Sequence, residues 1–506
     1  MTDRRDPSPP VDGGPDRGLS ADDLLGATSG SLLRRSDRLV RDGAVDSREV
    51  RPGNLFVALP GEHTDGHRFV GAALAAGAAA VLVARRPDDV DLAAVDATVI
   101  AVPDPLAGLQ AVASAWRARF DPLVVGITGS IAKTSTKEAV ATVLGAAMPT
   151  LRNEGNLNNE IGLPLTVLRL RGEHRAAVLE MGMYVGGEIA DLARIGRPEI
   201  GIVTAVQAVH LSRIGTLDAV EQAKGELVEA LPADGVAILN ADDPRVRRMA
   251  TRTAARVVLY GFATDADVRA EAVESRGVEG MAFVLVANGE RRQARIPTLG
   301  GLSVHNALAA AATGVAAGMR LDAVVDALAI GWSAPHRVQV VRAGGVTIID
   351  DSYNASPGSV AAALDLLADL PGRRIAVLGE MLELGRDHDD GHRRTGAHAA
   401  LRADLLVSVG ARAAGIADGA AAGMSSDAIL RVEDRAGARD ALLDLLRPGD
   451  VVLVKASRGI ALDVLVEDLV AALGSSPAAP PPTAAARATA VAPREPETGS
   501  DSGLVR

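Results

Sequence analysis

Short unbroken apolar runs, each closed by a turn and followed by an alanine-rich stretch with helical spacing, recur along most of the chain. Runs at 123–128, 176–180, 200–204 and 236–239 show no alternating polar face, as expected of strands buried on both sides in a parallel sheet covered by helices. The same rhythm, with shorter runs, fills 19–120, and a third series runs from 333 to 473. Residues 265–297 depart from it: Phe283-Val284-Leu285-Val286 followed by Asn288-Gly289 predicts a small antiparallel insertion. The pattern predicts an α/β protein with units at 19–120, 121–332 and 333–473. The flanking segments 1–18 and 474–506 are rich in Pro, Gly, Ala and polar residues, carry no periodic apolar face, and are predicted to be disordered.

Composition agrees with this reading and narrows the chemistry. The chain has 506 residues, enough for several cores, and is 48% hydrophobic but only 2% aromatic, so Ala, Val, Leu and Ile must fill those cores. It contains no cysteine, which excludes disulfides and thiolate-bound zinc and leaves oxygen and histidine as metal ligands. A net charge of -11 argues against a general nucleic-acid binder. No apolar run reaches the ~18 residues of a membrane span, and no apolar segment follows the first arginines, so a cytoplasmic protein without membrane insertion is expected.

The chemistry gathers around Val124-Val125-Gly126-Ile127-Thr128-Gly129-Ser130-Ile131-Ala132-Lys133-Thr134-Ser135-Thr136-Lys137. An apolar strand here breaks into small residues and opens a helix, the arrangement of a phosphate cradle: backbone N–H groups, a helix N-terminus and the Lys133 ammonium converge on an anion, and Thr134 can ligate a metal. The strict G-x-x-x-x-G-K-[ST] spacing fails, because Gly126 is one position early and Ala132 stands where the last glycine belongs. An ordinary strand-turn-helix is the competing reading. Glu180 and His210 lie at or beyond the carboxyl ends of later strands, where ligands of open α/β sheets collect. In the third unit, Ile348-Ile349-Asp350-Asp351-Ser352-Tyr353-Asn354 ends an apolar strand in a polar rim that demands a ligand or partner, although Asp351 or Ser352 could simply cap a helix.

Asn153-Glu154-Gly155-Asn156-Leu157-Asn158-Asn159-Glu160-Ile161-Gly162, then Leu179-Glu180-Met181-Gly182, His210 and Ala223-Lys224-Gly225-Glu226 follow the loop in an order and spacing that resemble the Mur ligases, from about Val45 to about Leu473. The resemblance implies a three-domain architecture: a UDP-substrate domain, a central P-loop-type domain with a mostly parallel sheet, and a Rossmann-like C-terminal domain. It implies an ATP-dependent amide ligase that joins D-alanyl-D-alanine to UDP-N-acetylmuramoyl-tripeptide through an acyl phosphate, acting as a monomer with Mg²⁺. By the same resemblance, Gly129, Ser130, Ala132, Lys133, Thr134, Ser135, Asn306, Arg337 and Asp351 bind ATP. Arg337 reaches the γ-phosphate, Asp351 the ribose and Asn306 the adenine. Lys133, Glu180, His210, Lys224 and Arg337 form the catalytic set. Thr134, Glu180, His210 and, once carbamoylated, Lys224 hold metal. Ser47, Arg48, Asn156, Asn158, Asn159, Tyr353, Asn354, Lys455, Ser457 and Arg458 bind substrate. The chain departs from the family at Ala132, Ala205, Ala456 and Leu302-Ser303. A ligase for another carboxylate or amine, or a non-catalytic binding paralogue, therefore stays open beside the main reading.

Overall fold

The computed structural model describes residues 16–61, 64–207 and 214–474. Among these, strands assemble into three sheets. The first comprises β1 (Ser31–Arg34), β2 (Asp42–Ala44), β3 (Asn54–Val57), β4 (Ala80–Val83) and β5 (Thr98–Ala101) in the order β1-β5-β4-β3-β2, parallel apart from β1. The second contains β6 (Leu123–Thr128), β7 (Thr150–Arg152), β8 (Ala176–Glu180), β9 (Ile200–Val203), β10 (Val236–Asn240), β11 (Arg256–Gly261), β12 (Val268–Ser275), β13 (Met281–Ala287) and β14 (Glu290–Ile296). Its order is β14-β13-β12-β11-β10-β9-β6-β8-β7. The third contains β15 (Gln339–Ala343), β16 (Val346–Asp350), β17 (Arg374–Gly379), β18 (Leu405–Val409), β19 (Ile429–Val432) and β20 (Val451–Lys455) in the order β15-β16-β20-β17-β18-β19, with only β15 antiparallel.

β6 lies between β8 on one side and β9 on the other, so the chain reverses its direction of winding beside the carboxyl end of β6. That is the switch point at which an open parallel sheet leaves a crevice, and the glycine-containing loop after Thr128 emerges there. The predicted antiparallel insertion is corrected in one respect. β13 pairs antiparallel with both β12 and β14, but β12 pairs parallel with β11 through Tyr260 and Val268, so these strands extend the central sheet rather than standing apart from it. Small side chains set the packing above them: the helix Gly301–Ala316, with Ala307 and Ala309 to Ala312 all buried, lies close along the helix Lys133–Gly145 that follows the loop.

The first two units share a core. The helix Pro105–Arg117, capped by Asp104 and opened by Pro105, packs against the helix Gly162–Leu168. Trp116 is fully buried between them and donates from Nε1 to the Leu170 carbonyl at 3.2 Å, its ring edge-on to Phe120. The third unit joins through residues 331–338, where Gly331, His336 and Val338 all have positive φ. The helix Pro357–Ala368 is capped by Ser356 in a capping box, so Asp351 and Ser352 are not its caps.

The expected disordered ends fall outside the described residues, apart from 16–18 and Gly474. Asp16 accepts from the Gly172 amide at 2.7 Å and the Arg17 carbonyl accepts from Arg119 at 2.9 Å, so defined contacts begin before residue 19. Among the described residues no helix is long and apolar enough to cross a membrane. Trp116→Ala removes the largest buried side chain from the shared core and one hydrogen bond. We expect a loss of about 3–5 kcal/mol, read as a lowered urea midpoint, with a change below ~1 kcal/mol showing that the two units do not depend on this contact.

Candidate active site

The loop after β6 is shaped by a close approach. Gly129 has φ 153°, and a Cβ there would lie 1.8 Å from the Thr204 hydroxyl, so no larger residue fits. Thr204 Oγ1 donates to the Ile131 carbonyl at 2.6 Å, while Ser130 Oγ donates to the Gln207 carbonyl and accepts from the Gln207 amide. These bonds stitch the loop to the segment after β9. Ala205 takes part through its carbonyl, which accepts from the Ser130 amide, a role that does not require the family asparagine. Ala132 is in the left-handed region at φ 65°, immediately before the helix Lys133–Gly145. The glycine expected there has thus been replaced at a conformation that costs an L-residue about 1–2 kcal/mol. The half-buried Lys133 folds back so that Nζ donates to the Gly129 carbonyl at 2.8 Å. Burial lowers its pKa, Glu180 opposes that change, and Arg337 adds to it.

Glu180, the last residue of β8, is buried. Its Oε1 accepts from Asn158 Nδ2 at 2.7 Å, while Oε2 is buried, accepts no hydrogen bond, and has Lys137 Nζ at 3.9 Å. A buried carboxylate oxygen left in this state is costly in water-free surroundings and suits a cation. It and the Thr134 hydroxyl at the head of the helix are hard oxygen donors of the kind that Mg²⁺ would take. Lys224, buried on the helix Leu217–Glu229, has its pKa pushed well below the usual lysine value, first by burial and then by the like charge of Lys133. It is not an exposed helix lysine paired with Glu221, whose carboxylate is taken by Arg245 and Arg248. His210 lies outside the described residues.

Two residues that sequence reasoning did not single out organise this corner. Lys137 is fully buried and donates to the Asn153 carbonyl at 2.7 Å and the Gly155 carbonyl at 3.3 Å. Asn153, also buried, accepts from the Glu180 amide and donates to the Glu180 and Leu157 carbonyls. Together they tie the loop 153–159 to β8. Their only sequence signal was position: a Lys four residues after Lys133 on one helix face, and an Asn opening the substrate-loop motif.

Facing the loop across a cavity of about 690 Å³ is the third unit. Ser130, Ala132, Lys133, Thr134, Ser135, Asn156 and Asn306 line it from the second unit, and Arg337, Asp351, Tyr353, Asn354, Lys455, Ser457 and Arg458 from the third. Trp332, at the junction, lines it as well. Arg337 lies over the Tyr353 ring, 4.2 Å from its centroid. The Asp351 carboxylate receives Lys455 Nζ at 2.5 Å, and Lys455 also donates to the Asn354 carbonyl. Arg458 pairs with Asp463, and Ser457 Oγ accepts from the Leu382 amide. Asn306 accepts from the Thr136 hydroxyl, joining the two central helices. Ser303 turns its hydroxyl onto the Leu299 carbonyl, and Ala456 is buried behind β20.

Other predicted residues stand back from the cavity. Gly129 underlies it, and Glu180 and Asn158 form a layer behind it. Asn159 accepts from the Ile161 and Gly162 amides at the start of the helix Gly162–Leu168, so its side chain is committed to a turn. Ser47 and Arg48 lie apart in the first unit, where the exposed Arg48 grips Asp46 and lowers that carboxyl to about 2.

Ala132→Gly should release about 1–2 kcal/mol of backbone strain and return about 0.4–1 kcal/mol through a more flexible unfolded chain. The expected outcome is a small rise in the urea midpoint, and a fall would show that Ala132 is held without strain.

The description "Mur ligase family, catalytic domain" matches residues 44–117, "Mur ligase middle domain" residues 127–314 and "Mur ligase, glutamate ligase domain" residues 336–458. UDP-N-acetylmuramoyl-tripeptide--D-alanyl-D-alanine ligase of Mycobacterium tuberculosis is 39% identical over 472 residues, spanning 84% of this chain and 91% of that protein. The ligase of the same description from Escherichia coli is 36% identical over 444 residues, spanning 86% and 95%. In structure the chain is similar to MurF from Acinetobacter baumannii, with a TM-score of 0.82 at 29% identity, covering 90% of this chain and 100% of that one. It is also similar to MurF ligase from Thermotoga maritima in complex with ADP, with a TM-score of 0.77 at 28% identity, covering 87% and 99%. With all three domain descriptions matched in order and such relatives aligned over most of its length, the chain belongs to the Mur ligase family.

Proposed function

We propose that this chain is the ATP-dependent ligase that adds D-alanyl-D-alanine to UDP-N-acetylmuramoyl-tripeptide in the synthesis of peptidoglycan precursors. The observation that carries the reading is a single cavity with a phosphate loop on one wall and a cationic, aromatic rim from another unit on the other. That arrangement serves a reaction in which a nucleotide and a second substrate must meet. A carboxylate oxygen of the tripeptide attacks the γ-phosphorus, the bond to the β-phosphate oxygen breaks, and ADP leaves. The dipeptide amine then attacks the acyl carbon, the C–O bond to phosphate breaks, and the nitrogen loses a proton as the amide forms. Neither step needs a protein nucleophile. Both need positive charge placed where the transferring phosphoryl group becomes more negative.

In this reading Lys133 leaves the Gly129 carbonyl for the nucleotide phosphates and Arg337 approaches the γ-phosphate from the third unit. Asn306 meets the adenine and Asp351 the ribose. Exchange of the Asp351–Lys455 pair for substrate contacts would free Lys455, beside Tyr353, Asn354, Ser457 and Arg458, for the peptide end. Asn156 faces the muramoyl substrate, whereas Asn158 acts by orienting Glu180. Ser47 and Arg48 remain candidates for the uridine diphosphate. Bound Mg²⁺ would supply charge neutralisation on the phosphates, held by Thr134, Glu180, His210 and a carbamoylated Lys224. The lowered pKa of Lys224 favours that modification, because carbamate forms when a neutral amine adds CO₂ and releases a proton, which turns a cation beside Lys133 into an anion. One chain supplies both walls of the cavity, so a monomer is the expected working unit. Its nucleotide-linked precursors place it in the cytoplasm.

With purified protein, ATP and Mg²⁺, ADP release should require both UDP-N-acetylmuramoyl-tripeptide and D-alanyl-D-alanine, and release independent of either would refute the assignment. Lys133→Ala should keep its melting temperature and lose at least about tenfold in turnover, equivalent to ~1.4 kcal/mol of transition-state stabilisation. Lys224→Ala should lose most activity and regain part of it with a small added carboxylate such as formate, and full activity without rescue would exclude the carbamate.

A further inference from the structure

Arg337 is bracketed by two residues in the left-handed region, His336 at φ 57° and Val338 at φ 51°. Neither is glycine, and for a β-branched residue this conformation is a genuine outlier. Strained backbone of this kind persists only where the surroundings over-determine it. The surroundings here are specific. His336 Nδ1 donates to Asp350 Oδ2 at 2.7 Å. Asp350, buried at the end of β16, uses its other oxygen to accept from the Ser352 hydroxyl at 2.5 Å and the Ser352 amide at 3.1 Å, so the carboxylate cannot turn away. The His336 carbonyl accepts from the Tyr353 amide at 3.1 Å, and the Arg337 amide closes a turn onto the Ala334 carbonyl. Tyr353, held by that bond, is also the ring beneath the Arg337 guanidinium.

The backbone before Arg337 and the platform under its side chain are thus fixed by the same short segment, 350–353. Arg337 lines the nucleotide cavity and His336 does not. We propose that His336 is a positioning residue: clasped to Asp350, it locks the interdomain junction into the strained turn that presents Arg337 to the transferring phosphoryl group. The proposal deepens the ligase reading above and rests on it. A left-handed position by itself calls for glycine or asparagine. The imidazole makes sense there because it adds a tether, at the cost of the strain. The clasp joins residues on the third-unit side of the junction, so it keeps Arg337 aligned with Tyr353 from within that unit.

Two substitutions separate tethering from folding. His336→Gly is at ease at this φ but has no clasp and leaves Asp350 Oδ2 unpartnered, so it should fold with a melting temperature at or somewhat below wild type while kcat for ADP formation falls about tenfold or more. His336→Asn should stay within about threefold of wild type, because Asn tolerates the left-handed region and its Nδ2 lies as many bonds from the backbone as the histidine Nδ1. In an Arg337→Ala background, His336→Gly should add no more than about a twofold loss, since the group to be positioned is gone. An active wild type whose His336→Gly variant keeps its kcat, or whose losses multiply in the Arg337→Ala background, or in which Asn rescues no better than Gly, overturns the proposal alone. A wild type with no substrate-dependent ADP release removes the ligase reading, and the proposal with it.

Discussion

The site depends on how closely the end of β6 approaches the end of β9. The Thr204 hydroxyl occupies the space that a side chain on Gly129 would need, and from there it holds the Ile131 carbonyl. That one contact pulls the loop down, sets the turn in which Ala132 must be left-handed, and aims the helix that begins at Lys133. Around the loop the chain then gathers like charges. Arg337 presses on Lys133, and Lys133 in turn on Lys224, while Glu180 is the carboxylate that opposes the change at Lys133. The like charges of Lys133 and Arg337 repel each other, and a polyanion between them would offset that repulsion.

The two walls of the cavity are attached in different ways. The loop wall belongs to a sheet whose core is continuous with that of the first unit, through Trp116 and the helices it joins. The opposite wall hangs on the junction at 331–338, and its charged side chains already have partners: Asp351 with Lys455, Arg458 with Asp463. Each such pair could exchange an internal partner for a ligand at little net cost in hydrogen bonds.

Much of this was readable from the sequence, for a physical reason. Parallel strands buried on both faces have no choice but to be continuous apolar runs, so β6, β8, β9 and β10 declared themselves to within a residue or two. The loop after β6 was equally visible, since Gly129 occupies a position that no larger residue fits. β12 to β14 were recognised as antiparallel, yet their attachment to β11 depends on the single parallel register at Tyr260 and Val268, which no local pattern records. Lys137 and Asn153 were missed because a buried lysine that feeds backbone carbonyls looks, in sequence, like any helix lysine. Asn159 has the residue type of a ligand-binder, and its Oδ1 also accepts from the amides of a turn. His336 carried no signal at all, because a left-handed histidine is revealed only by its dihedral and by Asp350.

The scarcity of aromatic residues, met first as a constraint on how the cores are filled, has a spectroscopic side. The chain has two tryptophans. Trp116 is sealed in the core shared by the first two units, while Trp332 lies half-buried at the junction and on the cavity wall. With excitation confined to indole, the first is expected to give a constant blue-shifted background and the second to report from the junction. The junction thus carries its own label, and time-resolved emission can read the surroundings of the cavity wall without a single engineered dye.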